Sequence, residues 1–145
     1  MSGPVILLVD DDEDDRLLVQ RALDASGAVT QLCTLNDGSE LLAYLRGHNP
    51  RHSPDACCRP NLILLDLNMP GMSGRQVLRQ LKEADLLHGI PVIVFTTSDA
   101  GDDMRECYDL GCLSYIRKPT TFSGMVDVMK TLVHHWLGIA EIERK

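Results

Sequence analysis

Apolar residues gather into five short runs along the chain, at 5–9, 29–35, 62–65, 92–95 and 113–116. Apart from the second, which is weaker and mixed, the runs are nearly continuous. A strand with one solvated face carries a polar residue at every second position, so continuous runs predict strands buried on both faces. Between the runs the spacing changes to three and four. Asp37 with Glu40, and Ser73 with Gln76, stand at capping-box spacing ahead of Leu41, Leu42 and Leu45, and of Val77, Leu78 and Leu81. From Phe122 the positions Met125, Val126, Met129, Leu132, Val133, Trp136 and Leu137 recur at helical spacing, which predicts an amphipathic last helix running to about Gly138. Strand and helix thus alternate five times. The expected fold is α/β: one doubly wound (βα)5 domain with a five-stranded parallel sheet between two helical layers. The stretch 47–60, with three prolines and no periodicity, predicts a long surface loop. No repeat or compositional shift divides the chain. The domain is therefore expected to span 4–138, with a short tail at 139–145 and no output domain.

Open parallel sheets bind ligands at the carboxyl ends of their strands. Those ends carry Asp10 and Asp11 after the first run, Asp66 after the third, Thr96 and Thr97 after the fourth, and Lys118 with Pro119 after the fifth. Each residue alone has an ordinary structural explanation: a helix cap for Asp, a turn for Thr, a solvated charge for Lys. Together they make a set of three carboxylates, a hydroxyl and an ammonium. Converging carboxylates repel and raise one another's pKa, and a hard divalent cation turns that repulsion into a coordination shell. Mg²⁺ suits the set best, because it takes one or two carboxylates and keeps positions for water and phosphate oxygens. These are the residue types of metal-assisted phosphoryl transfer.

Charge narrows the choice of partner. The 145 residues include 21 acids and 14 bases, a net charge of -7, and six of the acids are the unbroken run at 10–15. Without that run the chain is almost neutral, so no basic stripe is available for nucleic acid. Asp12, Glu13, Asp14 and Asp15 are expected to open the first helix, whose N-terminus favours negative charge, with a second metal site as the alternative. No apolar run approaches the ~18 residues of a membrane helix, and the first residues lack a secretory layout, so no membrane contact and a cytoplasmic location are expected. The five cysteines, Cys33, Cys57, Cys58, Cys107 and Cys112, are odd in number and irregularly spaced, which points to free thiols in a reducing compartment. A zinc clip of Cys57 and Cys58 with His48 and His52 is the alternative for that loop, but adjacent cysteines rarely ligate one metal together.

Four motifs carry a resemblance: Val9-Asp10-Asp11; Leu65-Asp66-Leu67-Asn68-Met69-Pro70-Gly71-Met72-Ser73-Gly74; Pro91-Val92-Ile93-Val94-Phe95-Thr96; and Tyr115-Ile116-Arg117-Lys118-Pro119. Over essentially its whole length the chain resembles the receiver domain of two-component response regulators, of the chemotaxis-regulator (CheY-like) type. The resemblance implies a flavodoxin-like strand order 2-1-3-4-5 and a single-domain regulator. Such a regulator accepts a phosphoryl group on Asp66 from the phosphohistidine of a sensor histidine kinase, or from a small donor such as acetyl phosphate. It implies Mg²⁺ or Mn²⁺ ligated by Asp11, Asp66 and the backbone carbonyl of Asn68, with Asp10 acting through water. Thr96 and Lys118 would contact phosphoryl oxygens, and Thr96 with Tyr115 would form the switch. The chain would be a signalling phosphoacceptor and no enzyme beyond its own phosphorylation and dephosphorylation. Thr97 and Ser98 depart from the commonest pattern and leave the phosphoaspartate lifetime open.

Softer features resemble the regulators paired with bacteriophytochrome kinases: Ile6-Leu7-Leu8-Val9 followed by the acidic run, the lengthened 47–60 loop, Thr96-Thr97-Ser98-Asp99, and His135-Trp136-Leu137. They imply a bacteriophytochrome as kinase and a downstream protein reached by contact or onward phosphotransfer. They also imply a homodimer using the last helix and the tail residues Ile139, Ala140 and Ile142, the alternative being a tail folded back on its own domain. Three competing readings fit less well. A haloacid-dehalogenase-type phosphatase needs a second Asp two residues after the nucleophile, where Asn68 stands. A flavodoxin-like cofactor protein would present amides and hydroxyls in its first loop, where the acidic run would repel a phosphate. A receiver that signals without phosphorylation would not need the intact set Asp10, Asp11, Asp66, Thr96 and Lys118.

Overall fold

Five strands, β1 (Val5–Val9), β2 (Gln31–Leu35), β3 (Leu62–Leu65), β4 (Val92–Thr96) and β5 (Ser114–Arg117), alternate with five helices: α1 (Glu13–Ser26), α2 (Gly38–Leu45), α3 (Gly74–Glu83), α4 (Gly101–Asp109) and α5 (Phe122–Leu132). The structure is a computed structural model that describes residues 4–27, 30–47, 60–87, 89–97 and 101–137, without the side chains of 102, 136 and 137. All neighbouring strands pair in parallel, in the order β2-β1-β3-β4-β5.

The continuous apolar runs are explained by two separate layers. Ile6 and Leu8 of β1, Leu62 and Leu64 of β3, and Ile93 and Phe95 of β4 pack with Val19, Ala22 and Leu23 of α1 and Met125, Met129 and Leu132 of α5. The alternate residues Leu7, Val9, Ile63, Leu65, Val92 and Val94 pack with Leu41 and Leu42 of α2, Val77, Leu78 and Leu81 of α3, and Cys107 of α4. No position on the three inner strands has a solvent side. Each fully buried aliphatic side chain contributes about 1.5–3 kcal/mol.

Local signals set the helix starts. Asp12 caps α1, its carboxylate accepting from the Asp14 amide, and α1 closes on Gly27 in the left-handed conformation. Ser73 and Gln76 form a reciprocal capping box at α3. At α2 the Asp37 side chain accepts from the Glu40 amide, and the Glu40 carboxylate accepts from the Asn36 amide, one residue before the cap.

The element boundaries differ from expectation in three places. β5 begins at Ser114, leaving Leu113 54% exposed ahead of the strand. β2 begins at Gln31, with Val29 outside the described residues. The last α-helix ends at Leu132 and continues as a π-helical turn, Val133–Leu137. The candidate zinc residues His48, His52, Cys57 and Cys58, the segment 98–100 and the tail 138–145 lie outside the described residues, so the expectations placed on them are not addressed.

Candidate functional site

Parallel register brings the strand ends to one edge of the sheet. Val9 stands beside Leu65 and Thr96 beside Arg117. The next residues are then fixed by their own backbones: the Asp10 amide donates to the Leu35 carbonyl at 3.1 Å, the Asp66 amide to Val9 at 3.1 Å, and the Lys118 amide to Thr96 at 2.7 Å. Among the described residues the buried polar or charged side chains are Asp10, Asp66, Thr96 and Lys118. All four belong to the set picked out by the strand ends. Burying a charge is costly unless it is paired, so their company in one place needs a common explanation.

The Lys118 ammonium supplies part of it. Its side chain is only 6% exposed, and its Nζ lies 2.7 Å from Asp10 Oδ2, 2.8 Å from Asp15 Oδ2 and 3.4 Å from Asp66 Oδ2. Burial works to lower the Lys118 pKa, but the hydrogen bonds to Asp10 and Asp15 and the charges of Asp66 and Asp10 outweigh it, so the ammonium holds its proton above the ordinary lysine range. At Asp10 the balance runs the other way. Burial raises its carboxyl above the usual carboxylate range, against the Lys118 hydrogen bond and the Asp12 amide. Asp10 Oδ1 accepts from that amide at 3.0 Å, and the Arg16 guanidinium donates to the Asp10 carbonyl at 2.7 Å.

Three carboxylates crowd around this one ammonium, and a fourth, Asp11, stands beside two of them. Ligand oxygens of Asp10, Asp11 and Asp66 lie within 4.8 Å of one another, with Asp10 and Asp66 buried and Asp11 exposed. Such a donor set fits a small hard cation: all oxygen, excess negative charge, and one ligand facing solvent, where a cation's waters and an incoming phosphoryl group can stand. Asn68 lies at the mouth, its amide 3.4 Å from Asp66 Oδ1 and its side-chain Nδ2 3.5 Å from the Thr96 hydroxyl oxygen.

Gly74 sets the floor. A Cβ there would stand 2.4 Å from the Asp66 carbonyl oxygen and 2.7 Å from Leu67 Cα, so α3 starts hard against the end of β3. Tyr115, half-buried, pairs in register with Val94, two residues before Thr96 on the same face of the sheet, and packs on the α2–α4 layer. Thr97 is exposed beyond Thr96. The contact that strand-end reading missed is Asp15. It sits in the first turn of α1, where its charge suits the helix N-terminus, and its carboxylate also reaches Lys118. Its one sequence signal is its position a helical turn after Asp11, on the side of α1 that begins at the sheet edge.

The sequence model of the response regulator receiver domain matches residues 6–130. The chain belongs to that family. Among similar proteins, response regulator Rcp1 of Synechocystis sp. strain PCC 6803 is 39% identical over 92% of this chain and 88% of its own length. The structure of the phosphorylated cyanobacterial phytochrome response regulator RcpA superposes with a TM-score of 0.83 at 38% identity, covering 94% of this chain and 96% of that one. The Mn²⁺-bound form of Rcp1 superposes with a TM-score of 0.79 at 37% identity, covering 93% and 95%. The receiver is accordingly a signalling phosphoacceptor of the two-component kind, with a histidine kinase as its partner. Among its described residues no helix is long and apolar enough to cross a membrane.

Proposed function

We propose that Asp66 is the residue phosphorylated in this receiver and that its neighbours divide the work of the transfer. The observation carrying this reading is the meeting of the Asp66 carboxylate with Asp10, Asp11 and the Lys118 ammonium at the sheet edge. An Asp66 carboxylate oxygen attacks the phosphorus of a phosphohistidine. The new P–O bond forms as the P–N bond breaks, and the bonding pair leaves with the histidine nitrogen. Asp11, Asp66 and the Asn68 backbone carbonyl would hold Mg²⁺ or Mn²⁺ directly, with Asp10 acting through bound water. When bound, the cation would supply positive charge to offset that of the phosphoryl oxygens. Lys118 pairs with one phosphoryl oxygen, as a compact point charge suited to a single acceptor. Thr96 donates its hydroxyl to another, and Tyr115 follows Thr96 as the second part of the switch.

The likeness to phytochrome regulators supports a bacteriophytochrome as the kinase, and a cytoplasmic location accompanies that reading. The receiver occupies 4–138, serves as the substrate of its own phosphorylation and dephosphorylation rather than as an enzyme on other molecules, and signals through a contacted downstream protein. Pairing of two copies through α5 and the tail is supported by Phe122, 45% exposed at the start of α5, close in sequence to the exposed Leu113. Most of the α5 stripe is spent within its own core, so the pairing surface is smaller than the spacing alone suggests.

Acetyl phosphate with Mg²⁺ should add one phosphoryl group to the protein by intact mass, and Asp66→Asn should abolish the addition while keeping the fold. Stoichiometric labelling retained in Asp66→Asn would overturn the assignment.

A further inference from the structure

An ammonium has three N–H donors, and at Lys118 all three face carboxylates. The contacts are unequal. Asp10 and Asp15 are reached at 2.7 and 2.8 Å, whereas Asp66 stands at 3.4 Å, beyond the usual N–H···O range. Before phosphorylation, then, the ammonium is drawn toward the junction of β1 and α1 and away from Asp66. To contact a phosphoryl oxygen arriving on Asp66, it must loosen one of its two short contacts.

Burial decides which one yields. The Asp10 side chain is fully enclosed, and stripping its partner would strand a charge away from water, a heavy cost. The Asp15 side chain is 33% exposed, so its carboxylate can turn to solvent at little cost. Asp15 is also held on a fixed element: α1 is capped by Asp12, and Val19, Ala22 and Leu23 anchor it in the core. It sits outside the carboxylates that group around the cation position.

We infer that Asp15 is a positioning residue that holds Lys118 away from Asp66 until the phosphoryl group arrives, and so sets how readily this receiver takes up its donor. The inference rests on the reading of Lys118 as the phosphoryl contact. Asp15 competes with the donor for one N–H of the lysine. Removing its charge leaves that N–H available from the start, which favours donor capture without altering the reacting atoms.

The test is the labelling rate at limiting acetyl phosphate and saturating Mg²⁺, followed by intact mass for long enough to measure slow variants. Asp15→Asn should label about threefold faster, the size expected of a part-exposed ion pair. The limiting rate at high donor should stay unchanged, and Asp15→Glu, which restores the charge, should return toward the wild-type rate. In a Lys118→Ala background Asp15→Asn should make no difference. A wild-type rate or a slower one in Asp15→Asn overturns the inference. The same acceleration in the Lys118→Ala background also overturns it, since Asp15 would then act on the anionic donor directly. Failure of the wild type itself to label would instead strike the assignment of Asp66.

Discussion

The ammonium of Lys118 faces more carboxylate than it can neutralise, and its titration carries over into stability. Burial opposes its charge, yet Asp10, Asp15 and Asp66 raise its pKa above the ordinary value of about 10.4. The folded state therefore keeps this proton where the unfolded chain releases it. The stabilisation is complete below about pH 10.4 and is lost as the pH climbs through the folded-state value. Urea midpoints of the wild type should fall more steeply above about pH 10 than those of Lys118→Met. The Cys107 and Cys112 thiols, pushed up to about 12 and about 11 by burial, titrate in the same direction in both proteins, so the difference isolates Lys118. Parallel curves would show that the ion pairs do not survive in solution. A cation bound only by the folded state stabilises by mass action, about 1.4 kcal/mol when Mg²⁺ is at about ten times its Kd. Mg²⁺ should thus raise the thermal midpoint of the wild type and leave Asp11→Ala nearly unmoved, and equal shifts in the two would remove Asp11 from the ligands. Asp10, Asp66 and Thr96 were legible because each directly follows an apolar run, and Lys118 because it stands two residues after one. Asp15 was not, since in a row of six acids its place a helical turn after Asp11 is a weak mark of which one turns toward the sheet.

At the scale of elements, the start of α3 governs how Asp66 is presented. Ser73 and Gln76 hold the helix end through their capping box, Gly74 lets it approach, and the Gly74 amide donates to the Leu67 carbonyl at 3.0 Å. The atoms that a Gly74 side chain would meet first are backbone, which cannot swing aside. Gly74→Ala should destabilise by about 1–3 kcal/mol through overpacking and slow Asp66 labelling, as α3 backs away from β3. Ser73→Ala, costing about 1 kcal/mol through the lost cap, should leave labelling largely intact. Equal labelling in the two variants would detach the site from α3 placement. Further along, Arg75 ties α3 to α4 through Asp103 and Glu106. The caps of α2 and α3 were readable because their capping side chain and amide stand three residues apart. The end of α5 was not, because the apolar spacing at Val133 continues the helical pattern while the hydrogen bonds widen to a π turn.

For the whole molecule, the two-sided burial of the inner strands explains why fold class could be read from apolar runs alone, while strand order could not. Continuous runs say that a strand is covered twice, and say nothing of its neighbours. Static light scattering at tens of micromolar should show a dimer that weakens when the chain is ended at Leu137, and a monomer throughout would dismiss the pairing. The division of the core has its own result. The layer under α1 and α5 and the layer under α2, α3 and α4 are separated by the sheet, and their side chains form two distinct clusters. Damage on one side should go unnoticed by the other: Leu23→Ala and Leu81→Ala should sum within about 0.5 kcal/mol in the double variant, while Leu23→Ala with Met129→Ala, in one layer, should not. Each layer can then drift in sequence on its own, and the carboxyl edge, where Asp15 of α1 and Gly74 of α3 both bear on Asp66 and Lys118, is where their histories are bound together.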